Sequence, residues 1–282
     1  MSSIFKAEYT IQKIFNNNVL LVTQKKKEKI LFGKGLGFGK HFGDILSADT
    51  KIDKIFSLDD KTNYNNFKEL VTTVDNELIG LCEEIIFMIS KELNEDLNEK
   101  IHISLTDHIA FTLKRLKQND EILNPFLVET ETLYKREFEI ARKAVSMLEK
   151  KMGIIIPDGE IGFITLHIHS ARNNGKLSNT IKYTFLSNSI IEFIEDSLDL
   201  QIDTQSIDYA RFITHIRFAI ERLLNNTPIK NELFEIIKNQ YKDSYSLAEK
   251  VCKLIEKQLN LTVVEDEVAY IAVHIEKFKN VS

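Results

Sequence analysis

Four histidines carry the clearest chemical signal in this sequence. His108 and His167 lie 59 residues apart, and His215 and His274 repeat that spacing, in a chain with seven histidines altogether. An imidazole nitrogen can hold a metal, pass a proton, or attack a phosphoryl donor and keep the phosphorus covalently. For any one such residue the plain alternative is a core histidine with one nitrogen hydrogen-bonded. Four in register weaken that alternative. A metal site is weaker still. His167 and His169 would face the same way on a strand, but Glu276 stands where the second half should repeat His169. No HExxH is present, and Cys82 and Cys252 form no CxxC pair and read as core residues. No metal or other cofactor is expected. Phosphorylation remains, with Asp107 and Arg115 near His108, and Arg217 and Arg222 near His215, as candidates to orient a phosphoryl group. That group adds up to about two negative charges, enough to reverse an interface. Such chemistry belongs to a switch rather than an enzyme.

The segments that must position these histidines are copies of one another. Shifted by 107 positions, His108 falls on His215 and His167 on His274, with DHIAFTLKRL over THIRFAIERL and EIGFITLHI over EVAYIAVHI. ARKAVSMLEKK lies without a gap over AEKVCKLIEKQ, and Tyr134 falls on Tyr241. Apolar residues such as Leu105, Ile109, Leu113 and Leu116 recur at helical spacing, and His108 stands beside that stripe. Two all-α helical bundles are expected, at 67–172 and 181–282, with a polar linker at 173–180 inside ARNNGKLSNT.

The front of the chain is different. Residues 9–14 and 19–22 alternate apolar and polar types around the turn former Asn16-Asn17-Asn18, as hairpin strands do. A second strand pair, 29–32 and 52–58, flanks half of all the glycines: Gly33, Gly35, Gly37, Gly39 and Gly43. A small all-β domain over 1–60 follows, then a turn-rich linker at 61–66. Although the net charge is −5, residues 1–48 carry eight lysines against Glu8, Glu28 and Asp44, a local +5. GKGLGFGKHFGD fits neither GxxxxGK[ST] nor GxGxxG, so a nucleotide site is unsupported. It offers instead a backbone able to approach a sugar-phosphate chain, Lys34 and Lys40 for phosphate, and the Phe38 and Phe42 rings for base stacking. That surface suits RNA. The Lys25–Lys27 run reads as a solvated hairpin tip. No helix-turn-helix pattern points to DNA. No apolar run reaches the roughly 20 residues of a membrane span, and MSSIFKAEYT lacks the regions of a secretory signal, so a cytoplasmic protein is expected.

Over nearly its whole length the sequence resembles the BglG/SacY antiterminators, which join a small RNA-binding domain to two phosphotransferase-system regulation domains. Lys13-Ile14-Phe15-Asn16-Asn17-Asn18 resembles the family's opening pattern, and Gly33 to Asp44 its glycine-rich loop. By that resemblance Lys13, Asn18, Gly33, Lys34, Gly35 and Phe38 contact RNA, with Lys34 where an arginine is common. His108 and His167 match the phosphorylatable histidines of the first regulation domain, and His215 and His274 those of the second. The resemblance implies a homodimer that clamps a leader-RNA hairpin and so prevents an overlapping terminator from forming. It also implies inhibition through the first regulation domain by a sugar-specific permease (enzyme II), and phosphorylation of the second by HPr. LTDHIAF, LNPFL and GEIGFITLHIHSA are most similar to the glucose-type regulators of Gram-positive bacteria. Two other readings compete: a histidine phosphocarrier without RNA binding, and a DNA-binding activator sharing the regulation domains. The basic β domain argues against the first, and the lack of a helical reading head against the second.

Overall fold

The computed structural model describes residues 8–279 apart from 26, 48, 58, 174–176 and 228. Lys26 of the expected hairpin tip and 174–176 of the expected linker therefore lie outside the described residues. Five strands form one antiparallel sheet: β1 (Tyr9–Ile14), β2 (Val19–Gln24), β3 (Lys27–Phe32), β4 (Ile45–Leu46) and β5 (Lys54–Ser57), in the order β4-β1-β2-β3-β5. β1 and β2 pair across the asparagine turn, with an irregularity in register between Ile11 and Lys13. Tyr9, Ile11, Leu20, Val22, Leu31, Leu36, Leu46 and Ile52 build the sheet's core. Val19 to Val22 are all buried, because the opposite face of β2 lies against a helix. This explains why the β2 sequence reads as a continuous apolar run rather than a clean alternation.

Eleven helices are seen among the described residues: α1 (Lys61–Thr73), α2 (Asn76–Leu93), α3 (Ile101–Leu116), α4 (Leu127–Leu133), α5 (Lys135–Met152), α6 (Asp158–Arg172), α7 (Leu177–Leu198), α8 (Ile207–Leu224), α9 (Phe234–Gln240), α10 (Lys242–Leu259) and α11 (Glu265–Lys279). The 107-residue shift carries α4 onto α9, α5 onto α10 and α6 onto α11, end to end. Residues 61–66, expected to be a turn-rich linker, form the first turns of α1. Asp60 caps that helix, its carboxylate accepting hydrogen bonds from the backbone N–H groups of Thr62 and Asn63. His167 and His169 lie on α6, a helix, and not on the strand considered for a shared metal site.

The chain divides into two compact units, residues 1–124 with 136–177, and 125–135 with 178–282. In the first, the sheet, α1 and α2 meet through Phe15 against Phe67 and through Phe32 stacked on Phe87 with ring centroids 4.0 Å apart. In the second, Tyr209, Phe212, Ile216, Val251, Ile255 and Ile271 are among the residues of one core, and Val128 and Leu133 of α4 pack onto it. Although α4 falls among the helices of the first repeat in sequence, it packs on α8 within the second unit. Tyr209 Oη donates to Glu129 Oε1 at 2.8 Å, and both side chains are buried. Cys82 and Cys252 are free and buried, and burial pushes the Cys252 thiol up to about 12.

Candidate nucleic-acid interface and histidine sites

The asparagine turn and the glycine loop brace each other. Asn16 Oδ1 accepts from the N–H groups of Asn18 (2.8 Å) and Val19 (3.0 Å), an Asx turn that closes the β1–β2 connection. Asn18 then reaches across, its Oδ1 accepting from Gly35 N at 2.9 Å and its carbonyl from Gly33 N at 3.0 Å. Gly37 N donates to Asn17 O at 2.9 Å, and a Cβ at Gly37 would collide with the Asn16 carbonyl. Gly35 has a φ of +70°, which a residue with a side chain rarely adopts. Leu36 is buried as the loop's anchor, while Lys34, Phe38, Lys40, His41 and Phe42 project outward, both phenylalanine rings 76% exposed. An exposed ring next to lysines and open backbone has the chemistry to stack a base and hold a phosphate.

The expected RNA-contact positions are thus brought together with one difference. Asn18, Gly33, Lys34 and Gly35 share the braced turn, and Phe38 stands on the same loop. Lys13 points elsewhere: its Nζ donates to the Val71 carbonyl at the end of α1, at 2.9 Å.

The histidines come together in pairs. The His108 and His167 rings have centroids 5.0 Å apart, and those of His215 and His274 are 5.1 Å apart. Helical spacing puts His108 on the α3 face turned to α6, and the same shift puts His215 on α8 opposite α11. Beneath each first histidine lies a buried carboxylate. Glu160 Oε2 is 3.1 Å from His108 Nε2, and Glu267 Oε2 is 3.6 Å from His215 Nε2. In both cases the Nε2 is buried without a well-aligned hydrogen bond, so the contact is electrostatic rather than a formed bond.

Each carboxylate is matched by an arginine. Arg115 Nη2 donates to Glu160 Oε1 at 2.7 Å, and Arg222 grips Glu267 through Nε and Nη2 at 2.6 and 2.7 Å. Thr112 Oγ1 adds a bond to Glu160 at 2.8 Å; the second site has Ala219 at the equivalent position. Burial alone would raise both carboxyls, but the histidine, threonine and arginine partners of Glu160, and the histidine and arginine of Glu267, hold them below the usual range. Burial, with the neighbouring His108, lowers His167 to about 3, and burial with His215 lowers His274 to about 4. Both second histidines are therefore neutral at pH 7. His167 Nδ1 also stands 3.3 Å from Ser104 Oγ.

Of the four charged residues singled out beside the histidines, Arg115 and Arg222 are in place. Arg217 lies over the Phe218 ring and pairs with Glu221, and Asp107 is exposed. Glu160 and Glu267 were missed. Their signal is present, since each opens the aligned EIGFITLHI and EVAYIAVHI; within the aligned histidine-bearing segments, the charged residues common to both repeats are these glutamates and the two arginines.

Comparison with known proteins bears on both sites. The model for the CAT RNA binding domain matches residues 9–65, and that for the PRD domain matches twice, at 83–171 and 188–278. The "PtsGHI operon antiterminator" of Bacillus subtilis is 42% identical over 275 residues, covering 96% of this chain and 98% of its own. The "Protein GlcT" of Staphylococcus saprophyticus is 38% identical over 274 residues, covering 96% of this chain and 97% of its own. The "Transcription antiterminator LicT" of Bacillus subtilis is 35% identical over 271 residues, covering 95% and 98% respectively. A solved structure described as "Crystal structure of GlcT CAT-PRDI" superposes with a TM-score of 0.52 at 45% identity, covering 59% of this chain and 99% of that one.

Proposed function

Because this chain belongs to the family of BglG/SacY transcription antiterminators that join a CAT RNA-binding domain to two PRD domains, we propose that it binds a leader-RNA hairpin and is switched by histidine phosphorylation. Residues 1–60 are the RNA-binding part, and 67–172 and 181–282 are the two regulation domains. Lys34 and Lys40 hold phosphate, Lys13 contacts RNA once its Nζ leaves the Val71 carbonyl, Phe38 stacks a base, and Asn18 with the Gly33 and Gly35 backbone fixes the loop that reads the hairpin. A stabilised hairpin prevents the overlapping terminator, and transcription continues. The relatives are regulators of transcription, and we read this chain as one too, without catalysis of its own. The histidine phosphocarrier reading is not favoured, because a CAT RNA-binding model matches residues 9–65.

His108, His167, His215 and His274 are the phosphoryl acceptors. The lone pair of an acceptor nitrogen forms the new P–N bond; the bond from phosphorus to the donor's nitrogen or sulfur breaks, and the donor leaves with that electron pair. At rest His108 faces the paired Arg115 and Glu160 side chains. A phosphoryl group adds about 1.5 to 2 negative charges beside a buried carboxylate, and the site must open or draw in further cations. The GlcT-type relatives support a glucose permease gene as the target and its enzyme II as donor to the first regulation domain. HPr as donor to the second, a homodimeric active form and a cytoplasmic location complete the proposal.

The observation that carries this reading is the His–His–Glu–Arg set that recurs under the 107-residue shift within both PRD matches, behind a CAT match. The test is transcription in vitro across a leader upstream of a glucose-permease gene. Unphosphorylated full-length protein should raise read-through, and phosphorylation of the first regulation domain by permease should abolish the gain. Read-through indifferent to the protein would overturn the proposal.

A further inference from the structure

Opposite the asparagine turn, α2 presents Gly80, Glu84 and Phe87, spaced so that they share one helical face. One oxygen, Glu84 Oε1, accepts from Asn16 Nδ2 at 2.9 Å and from Asn18 Nδ2 at 2.8 Å. Asn18 Oδ1 holds the glycine loop through Gly35 N, and Glu84 takes one of the two N–H donors of the Asn18 amide, the group that faces outward to a ligand. Gly80 sits inside an 18-residue helix, where glycine weakens the helix. Its reason is contact: a Cβ there would lie 2.5 Å from Asn16 Nδ2 and 2.7 Å from its Cγ. Asn16 cannot swing aside freely, because its Oδ1 closes the turn. Phe87 stacks on Phe32 beside the loop, and Lys13 donates to Val71 O instead of a phosphate.

We infer that this face of α2 is a built-in competitor for RNA, with the Glu84 carboxylate standing where an anionic or carbonyl oxygen of the hairpin would bind. The inference rests on the RNA-reading role proposed above for the turn and loop. Two physical effects oppose RNA in this docked state: Glu84 holds one amide N–H of each asparagine, and its negative charge lies beside the path of the phosphates. RNA binding then requires α2 to release the turn. Only the undocked fraction binds, and the apparent Kd rises by the inverse of that fraction. Because α2 packs on α3, the helix of His108, a charge change at the histidine site has a short physical route to the docked face.

The test is equilibrium binding of the full chain to a permease-leader hairpin. Glu84→Ala and Gly80→Ala should each lower the apparent Kd by roughly tenfold, whereas Glu77→Ala, on the first turn of the same helix, should change it little. Hydrogen exchange of the wild-type chain gives a second readout that needs no variant: saturating RNA should speed exchange of α2 backbone amides from 80 to 87. If wild type binds the hairpin but Glu84→Ala binds no tighter, or Glu77→Ala gains as much, the competitor role is overturned. Unchanged or increased α2 protection in the RNA complex overturns it as well. If neither wild type nor Glu84→Ala binds any leader hairpin, the RNA-reading role itself fails, and the inference with it.

Discussion

Glu160 lies 3.1 Å from His108 while Arg115 holds its other oxygen at 2.7 Å, so the histidine rests against a buried ion pair. Arg115 and Glu160 are 5% and 2% exposed. Removing one member of such a pair strands the other. Glu160→Ala should therefore cost about 3 to 5 kcal/mol of stability, read as a lower urea midpoint. Glu160→Gln, which keeps the side-chain volume and one acceptor oxygen for Arg115, should cost less. Equal midpoints for Glu160→Ala and wild type would remove the pair from the account of this site.

Two depressed histidines set a pH dependence. His167 is lowered to about 3 and His274 to about 4, so between those values and the ordinary value of 6.5 the unfolded chain binds protons that the folded chain does not. Their contribution is complete above about pH 6.5 and is lost as pH falls toward the folded values. The urea midpoint should thus drop between pH 7 and 5, with each histidine contributing at most about 1.4 kcal/mol per pH unit. Replacing both by Gln should flatten that part of the profile. A profile with the same slope in the double variant would assign the drop to other groups.

Replacing His108 with Ala removes the phosphoryl acceptor proposed to inhibit. Antitermination should then be constitutive in cells lacking the sugar, measured with a leader-fused reporter. Continued repression would strip His108 of the inhibitory role.

Phe38 is 76% exposed, so Phe38→Ala should leave the thermal midpoint nearly unchanged. Loss of a stacked base should weaken hairpin binding by about 1 to 3 kcal/mol, near tenfold or more. A variant that binds as well as wild type would move base stacking elsewhere on the loop.

The buried Tyr209–Glu129 hydrogen bond ties α4 to α8. Tyr209→Phe leaves a buried carboxylate without that donor and should destabilise the second unit by about 1 to 3 kcal/mol. Limited proteolysis should then cut sooner near Lys135 and Arg136. An unaltered digestion pattern would show that α4 is held by its apolar contacts alone.

By itself, the sequence determined the plan: a strand-rich basic front with its asparagine turn and glycine loop, then two helical repeats with paired histidines. Those features rest on short-range rules of alternation, turn chemistry and helical period, and on a repeat that keeps its offset across the histidine motifs. Composition misled at 61–66, where KTNYNN looks like a linker; a single capping carboxylate at Asp60 and burial of Phe67 and Leu70 further along make it helix. Other features depended on packing between residues far apart in the chain. Glu160 meets His108 only because α3 and α6 lie side by side, Glu84 reaches Asn18 across 66 positions, and α4 leaves its sequence neighbours for the core around Tyr209. Such contacts have no local signature, because their energy comes from burying apolar faces together and from pairing the charges and amides that this burial would otherwise leave unmatched.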